Sequence, residues 1–366
     1  MKNHIINFDN AATTFPKPDE VKKSVIYAIE HCGGSAGRGG HNLSMHTSQL
    51  VYNARQAAAD FFDAQTENVI FTSSCTHALN TAIKGVLKDG GHVVTSSIEH
   101  NSVIRPLMAL SKQGKITLSI AKVYDDNSKT IDSFENAINV KTQVVICTIA
   151  GNVTGQLLPI KEIAEMCNKR NICFIADGAQ ACGIIPVSLK SGINILCTSG
   201  HKGLYGIAGT GLLVTDGKYK IEPLTQGGTG SGSLEFTQPD FMPDSLESGT
   251  LNTPGILSLK AGIDFINKRT IQDIFRYEEK LADIFLSNMR DFDKITIYRS
   301  PNAKYVPIIS FNVKDIPSEK FASYLNEKGF CLCAAFHCFA MSHKSLGTKN
   351  GTIRFATSVF NTEIDV

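Results

Sequence analysis

Apolar residues recur along this chain with two different periods. Val21, Val25, Ala28, Ile29 and Cys32 fall at helical spacing, as do Leu50, Ala54, Ala57, Ala58 and Phe61. Each set predicts a helix with one apolar face. Between such helices lie short runs rich in β-branched residues, at His92–Thr95, Val144–Ile149, Ile172–Ala176 and Ile193–Cys197. Runs of this length, bounded by glycine and polar clusters, read as buried parallel strands. Their alternation with helices predicts an α/β fold whose mostly parallel central sheet is covered on both faces. In such sheets the chemistry collects beyond the carboxyl ends of the strands.

Past Gly249 the texture changes. Leu251-Asn252-Thr253-Pro254-Gly255 is turn-rich, and a long helical stretch is predicted from Ile256 to Met289. Strand patterns follow at Ile295–Arg299 and Val306–Val313, then a helix over Ser318–Glu327 and a last strand over Thr352–Ser358. The expected organisation is a large domain over residues 13–249. Residues 1–12 and 250–366 would form a smaller α+β domain.

Composition narrows the function class. The 366 residues are 42% hydrophobic and 19% charged, as in a globular chain. Lys and Arg number 36 against 34 Asp and Glu, so no basic surplus points to nucleic acid. No apolar run approaches the roughly 18 residues of a membrane span, and the opening Met1-Lys2-Asn3-His4 is not a signal peptide. Ten cysteines are too dilute for a disulfide scaffold. A cytoplasmic enzyme with mostly buried, reduced thiols is the expectation.

The most informative segment is Thr198-Ser199-Gly200-His201-Lys202-Gly203, just after a predicted strand. Upstream, Asp177 ends another strand and is followed by Gly178-Ala179-Gln180. A lysine and an aspartate at neighbouring strand ends are the two groups that pyridoxal phosphate chemistry requires. The amine forms a Schiff base with the aldehyde, and the carboxylate keeps the pyridine nitrogen protonated. Phe71-Thr72-Ser73-Ser74-Cys75-Thr76-His77 leads into a helix, where unpaired N–H groups and the helix dipole favour an anion such as the phosphate. Ser199 and His201 supply further donors beside the lysine.

With these residues in order, the sequence resembles the pyridoxal-phosphate enzymes of the class V aminotransferase fold, and among them the cysteine desulfurase and selenocysteine lyase group. The resemblance also runs through Phe8-Asp9-Asn10-Ala11-Ala12-Thr13-Thr14, Ile98-Glu99-His100-Asn101, Gly151-Asn152-Val153-Thr154-Gly155, Ser248-Gly249-Thr250 and Gly351-Thr352-Ile353-Arg354. It implies a type I pyridoxal-phosphate transferase fold. Lys202 is similar to the Schiff-base lysine, Asp177 to the pyridinium partner and His100 to the histidine stacked on the ring. Asn152 and Gln180 match residues that bond the ring's phenolic oxygen. Cys75, Thr76, Ser199 and His201 match the phosphate cradle, with Cys75 standing where relatives usually carry threonine. Thr250 matches a residue that reaches the phosphate of a neighbouring subunit, which implies a homodimer. Arg354 matches the arginine that grips the substrate carboxylate, with Asn152 beside it.

Cys338, in Phe336-His337-Cys338-Phe339, is similar to the family's nucleophile. The resemblance implies that its thiolate takes sulfur or selenium from L-cysteine or L-selenocysteine. Alanine and a persulfide or selenopersulfide result, and an acceptor protein then receives the atom. Cys333 stands where many desulfurases of this type carry arginine; the missing cation favours selenocysteine, whose selenol ionises more readily than a thiol. Other readings stay open. Cys338 can be a buried small hydrophobe, and the chain a transaminase or other C–S lyase on the same fold. In a third reading Cys331, Cys333, His337, Cys338 and His343 organise a zinc-bound interaction module.

Overall fold

A computed structural model of the chain describes residues 5–37, 39–336, 346–348 and 350–366. The short strand β1 (Ile6–Asn7) precedes helices α1 (Asp19–His31) and α2 (Asn42–Phe62). Strands and helices then alternate through β2 (Val69–Thr72), α3 (Cys75–Val86), β3 (Gly91–Ser96), α4 (Asn101–Lys112), β4 (Ile116–Ala121), α5 (Asn127–Ala137) and β5 (Thr142–Thr148). They continue through α6 (Ile160–Lys169), β6 (Cys173–Asp177), β7 (Ile195–Ser199) and β8 (Gly211–Thr215). The rest comprises α7 (Thr253–Arg269), α8 (Ile271–Met289), β9 (Ile295–Ile297), β10 (Ile308–Val313), α9 (Ser318–Glu327), β11 (Phe330–Cys331), β12 (Cys333–Ala335) and β13 (Thr352–Ala356).

Among the described residues, β2 to β8 form one sheet in the order β2-β8-β7-β6-β5-β3-β4. Only β8 runs against its neighbours; the other pairings are parallel. The expected mostly parallel sheet is therefore present. The chain leaves β3 for the edge strand β4 and returns to β5 on the other flank of β3. That reversal opens a crevice at the carboxyl ends of the strands. Two strands of this sheet escape the sequence reading. β4 is half solvent-facing and carries Thr117 and Ser119, while β8 is a five-residue run hidden in a glycine-rich stretch.

Helices cover both faces. Val51, Ala54 and Ala58 of α2 share one apolar cluster with Leu259, Ile263 and Ile266 of α7. Leu79 and Ile83 of α3 pack with Val103 and Leu107 of α4 on the opposite side. Beyond residue 249 the chain thus returns first to the large core. The single helical stretch expected from Ile256 to Met289 is instead two helices. Thr270, at φ 71°, donates its N–H to Ile266 O and ends α7. Its hydroxyl accepts from Asp273 N at 3.1 Å and caps α8, a Thr-x-x-Asp start signal that apolar periodicity alone passes over.

A second sheet, β12-β13-β10-β9, is antiparallel, and β1 pairs with β11 in parallel beside it. Phe8, Phe285, Phe311 and Phe355 form its core, Phe285 stacking on Phe355 with centroids 4.1 Å apart.

Two buried polar ties fix the large sheet's side of the crevice. Arg55 and Glu247 form a bidentate pair at 2.7 and 2.8 Å, and Glu247 also accepts from Phe71 N. This pair holds the end of β2, where the chain turns toward α3. Glu99 accepts from Ser96 Oγ at the end of β3 and from Thr148 N, at 2.9 Å, at the end of β5. Its other carboxyl oxygen is buried without a partner. Burial raises Glu99 from an ordinary value near 4.5 to about 8, so the residue is a neutral acid at pH 7. The folded state then holds a proton that the unfolded chain releases above pH 4.5, and stability falls as pH rises from there toward 8. Glu99→Gln removes that proton exchange. Melting temperatures from pH 5 to 8 should show the variant gaining on the unmodified protein as pH rises; parallel curves would contradict the assignment.

Candidate active site

The crevice narrows to a cavity of about 200 Å³ at the ends of β5, β6 and β7 and the starts of α3 and α4. Its wall contains Cys75, Thr76, His100, Asn152, Asp177, Gln180, Ser199, His201 and Lys202. The fold thus gathers around one space nine residues that the sequence scatters over more than a hundred positions.

Each is placed by a strand end or a helix start. Asp177 closes β6 and is 3% exposed. Its Oδ1 accepts from Ala179 N at 2.9 Å and from Cys75 Sγ at 3.5 Å. Burial, reinforced by Asp177, pushes the Cys75 thiol well above its usual range, so it remains a donor. Lys202 follows β7 in a loop that lies against the turn after Gln180. A Cβ on Gly203 would collide with the Cys182 carbonyl there, so only glycine permits the approach. Burial is the main cause of Lys202's lowered basicity; the Arg354 guanidinium adds to it and Asp177 opposes it.

His100 caps α4. Its Nδ1 accepts from Ser102 N at 3.1 Å, which leaves the ring proton on Nε2. Ser102 Oγ lies 2.7 Å from both His100 Nδ1 and Thr76 Oγ1, linking α3 to α4. Burial lowers the His100 pKa and keeps the ring neutral.

One end of the cavity is shaped for an anion. Ser74 caps α3 by accepting from His77 N at 3.1 Å. The next N–H groups, at Cys75 and Thr76, begin the helix and have no intrahelical acceptor. Opposite them, Ser199 Oγ and His201 Nδ1 are buried without a hydrogen-bond partner. Burial, with Lys202 and Lys17 nearby, lowers His201 to about 4. Two orphaned polar groups beside free helix N–H groups are what a bound phosphate would satisfy.

Arg354, on β13 and 3% exposed, joins the two sheets. It donates to Asn152 Oδ1 at 2.7 Å and to Asp9 Oδ1 at 2.9 Å. Asn152 Oδ1 also accepts from Gln180 Nε2. In the β12–β13 ladder Cys333 lies opposite Arg354.

Two expected site residues do not line this cavity: Arg354, which reaches its wall only through Asn152, and Thr250. Thr250 is exposed on a separate cleft shared with Ser73 and His77. Cys338 lies outside the described residues, as do His337 and His343. Among the described residues no group of three or more His, Cys, Asp or Glu side chains is placed to hold a metal ion. No helix among them is long and apolar enough to cross a membrane. Sequence reasoning missed the supporting groups Glu99, Ser102 and Thr148. Glu99 is visible only as the neighbour of His100, and Thr148 only as the end of a strand.

Comparison with known proteins agrees with this geometry. A profile of the class-V aminotransferase family matches residues 6–366. A probable cysteine desulfurase of Methanothermobacter thermautotrophicus is 28% identical over 379 residues, covering 100% of this chain and 93% of that protein. The cysteine desulfurase IscS of Clostridium botulinum is 26% identical over 390 residues, covering 100% and 92%. The solved apo structure of a cysteine desulfurase from Thermococcus onnurineus superposes with a TM-score of 0.91 at 26% identity, covering 99% of this chain and 92% of that one. Strand order, the lysine-bearing loop and the end-to-end profile match lead to one assignment: the chain belongs to the class-V aminotransferase family.

Proposed function

We propose that the protein is a pyridoxal-phosphate-dependent cysteine desulfurase, which removes sulfur from L-cysteine, or selenium from L-selenocysteine, and releases L-alanine. The observation that carries this reading is the cavity that joins Lys202, Asp177 and the orphaned Ser199 and His201 donors in one space. The residues fit the cofactor. Ser199, His201 and the N-terminus of α3 would hold its phosphate, Asp177 its ring nitrogen and His100 its ring face. Bound there, pyridoxal phosphate supplies an electron sink for negative charge developing at the substrate Cα.

The remaining chemistry belongs to the chain. Arg354 binds the substrate carboxylate with a planar fork whose direction Asn152 and Asp9 fix. Burial lowers the basicity of Lys202, which favours the neutral amine that takes the Cα proton. His100 presents Nε2–H as a fixed donor. Cys338 supplies the thiolate, which attacks the substrate sulfur; the S–Cβ bond breaks toward carbon, Cβ gains a proton and Cys338 is left as the persulfide. The names of the relatives support sulfur as the natural cargo.

Thr250, exposed beside Ser73 and His77, supports a homodimer in which it serves the partner's phosphate end. A persulfide product calls for an acceptor protein. The free thiols, among the described residues, support action in the cytoplasm.

The purified protein should be yellow. Lys202→Ala should lose the colour that depends on covalent attachment and reduce alanine release from L-cysteine about 100-fold or more. Retained colour and activity would overturn the cofactor assignment. Cys338→Ala should keep the colour and lose both persulfide and alanine formation; a variant that still releases alanine at the original rate removes Cys338 from the mechanism.

A further inference from the structure

Lys17 lies outside every role described so far. It follows the Thr13-Thr14 segment, is half-buried, and its two polar partners are neutral oxygens. Its ammonium donates to His201 O at 2.7 Å and to Thr14 Oγ1 at 2.8 Å. Burial lowers its pKa to about 8, so the fold holds this cation at a cost that no carboxylate partner among the described residues offsets.

The two bonds have a joint geometric effect. A hydroxyl has one proton to give. Because Thr14 Oγ1 accepts from Lys17, its own proton is directed away, toward Lys202 O at 3.0 Å and His201 O at 3.2 Å; Lys202 O also accepts from Tyr205 N at 2.9 Å. Lys17 therefore secures His201 O directly and Lys202 O through Thr14. These two carbonyls belong to the peptide planes on either side of the Lys202 Cα. Thr13 Oγ1, Thr14 N and Thr14 Oγ1 approach His201 O at 3.1, 3.2 and 3.2 Å, but among the described residues Lys17 makes the shortest and the only charged bond to it.

We infer that Lys17 is a positioning residue that, with Thr14, fixes both peptide planes flanking Lys202 and so aims the lysine side chain into the cavity. The role of Lys202 in this inference rests on the function proposed above; the clamp on its backbone does not. Rigid placement matters because the Lys202 side chain is long and rotatable, and its amine reaches a reacting carbon only from a fixed root.

The test uses Lys17→Met, Lys17→Arg, Thr14→Val and the Lys17→Met/Thr14→Val double variant of the full chain. In the apoprotein, Lys17→Met should speed amide hydrogen exchange at residues 202–204 about tenfold or more, as loss of a charge-assisted bond implies. Amides of β13 should keep their protection. Covalent attachment of added pyridoxal phosphate should slow by a similar factor. Lys17→Arg should restore both, because a guanidinium also donates to two oxygens. The double variant should be no worse than Lys17→Met alone, since both residues act through one chain of bonds. Unchanged exchange at 202–204, or additive effects of Lys17→Met and Thr14→Val, would overturn the inference. Faster exchange with an unchanged attachment rate would also overturn it, leaving Lys17 a structural tie. Failure of the cofactor reading is separately visible, because the unmodified protein would then not take up pyridoxal phosphate at all.

Discussion

The hydrogen-bond chain Gln180–Asn152–Arg354–Asp9 is the constraint on which the site depends. Gln180 and Asn152 stand on loops of the large parallel sheet; Arg354 stands on the small antiparallel one, and Asp9 follows the N-terminal strand beside it. The two terminal nitrogens of the buried Arg354 reach Asn152 and Asp9 together only when the two sheets meet at one separation, while its Nε is left without a partner. That contact therefore also sets the distance between Arg354 and the lysine-bearing wall. The aromatic stack of Phe8, Phe285 and Phe355 supplies apolar burial behind this contact, but stacking is less directional than a fork held at both prongs.

Around that contact the buried charges are sorted. Glu99 is kept neutral by burial and by an oxygen with no partner, while Asp177 accepts from a backbone N–H and a thiol at the cavity wall. The bases are sorted in the same way. Burial lowers Lys202, His100 and His201, so the cavity holds groups able to exchange protons instead of a cluster of fixed cations. The near balance of 36 basic and 34 acidic residues fits this picture, because the proposed anion binding is local and built from helix ends and single side chains.

Much of this was legible in the sequence because strand ends are marked by composition. The apolar runs ending near Thr148, Asp177 and Ser199 locate the carboxyl edge of the sheet, and the residues just beyond them are the wall of the cavity. The antiparallel β8 was not legible, since a five-residue apolar run among glycines carries no period. The break at Thr270 hid inside an otherwise continuous helical stripe. Glu99, Ser102 and Lys17 were invisible for a different reason. Their roles come from partners 49, 26 and 184 residues away, and no local pattern records such pairings. Thr250, in turn, matches its relatives by motif yet opens on a separate cleft of its own chain.

In the proposed function, one cavity holds pyridoxal phosphate between Lys202 and Asp177, with the phosphate at Ser199 and His201. A crystal structure of the protein grown with the cofactor tests it directly. The account predicts density continuous with Lys202 Nζ, the ring nitrogen facing Asp177 and the phosphate bonded by Ser199, His201 and the first N–H groups of α3. Attachment to a different lysine, or a ring whose phosphate points away from α3, would contradict it.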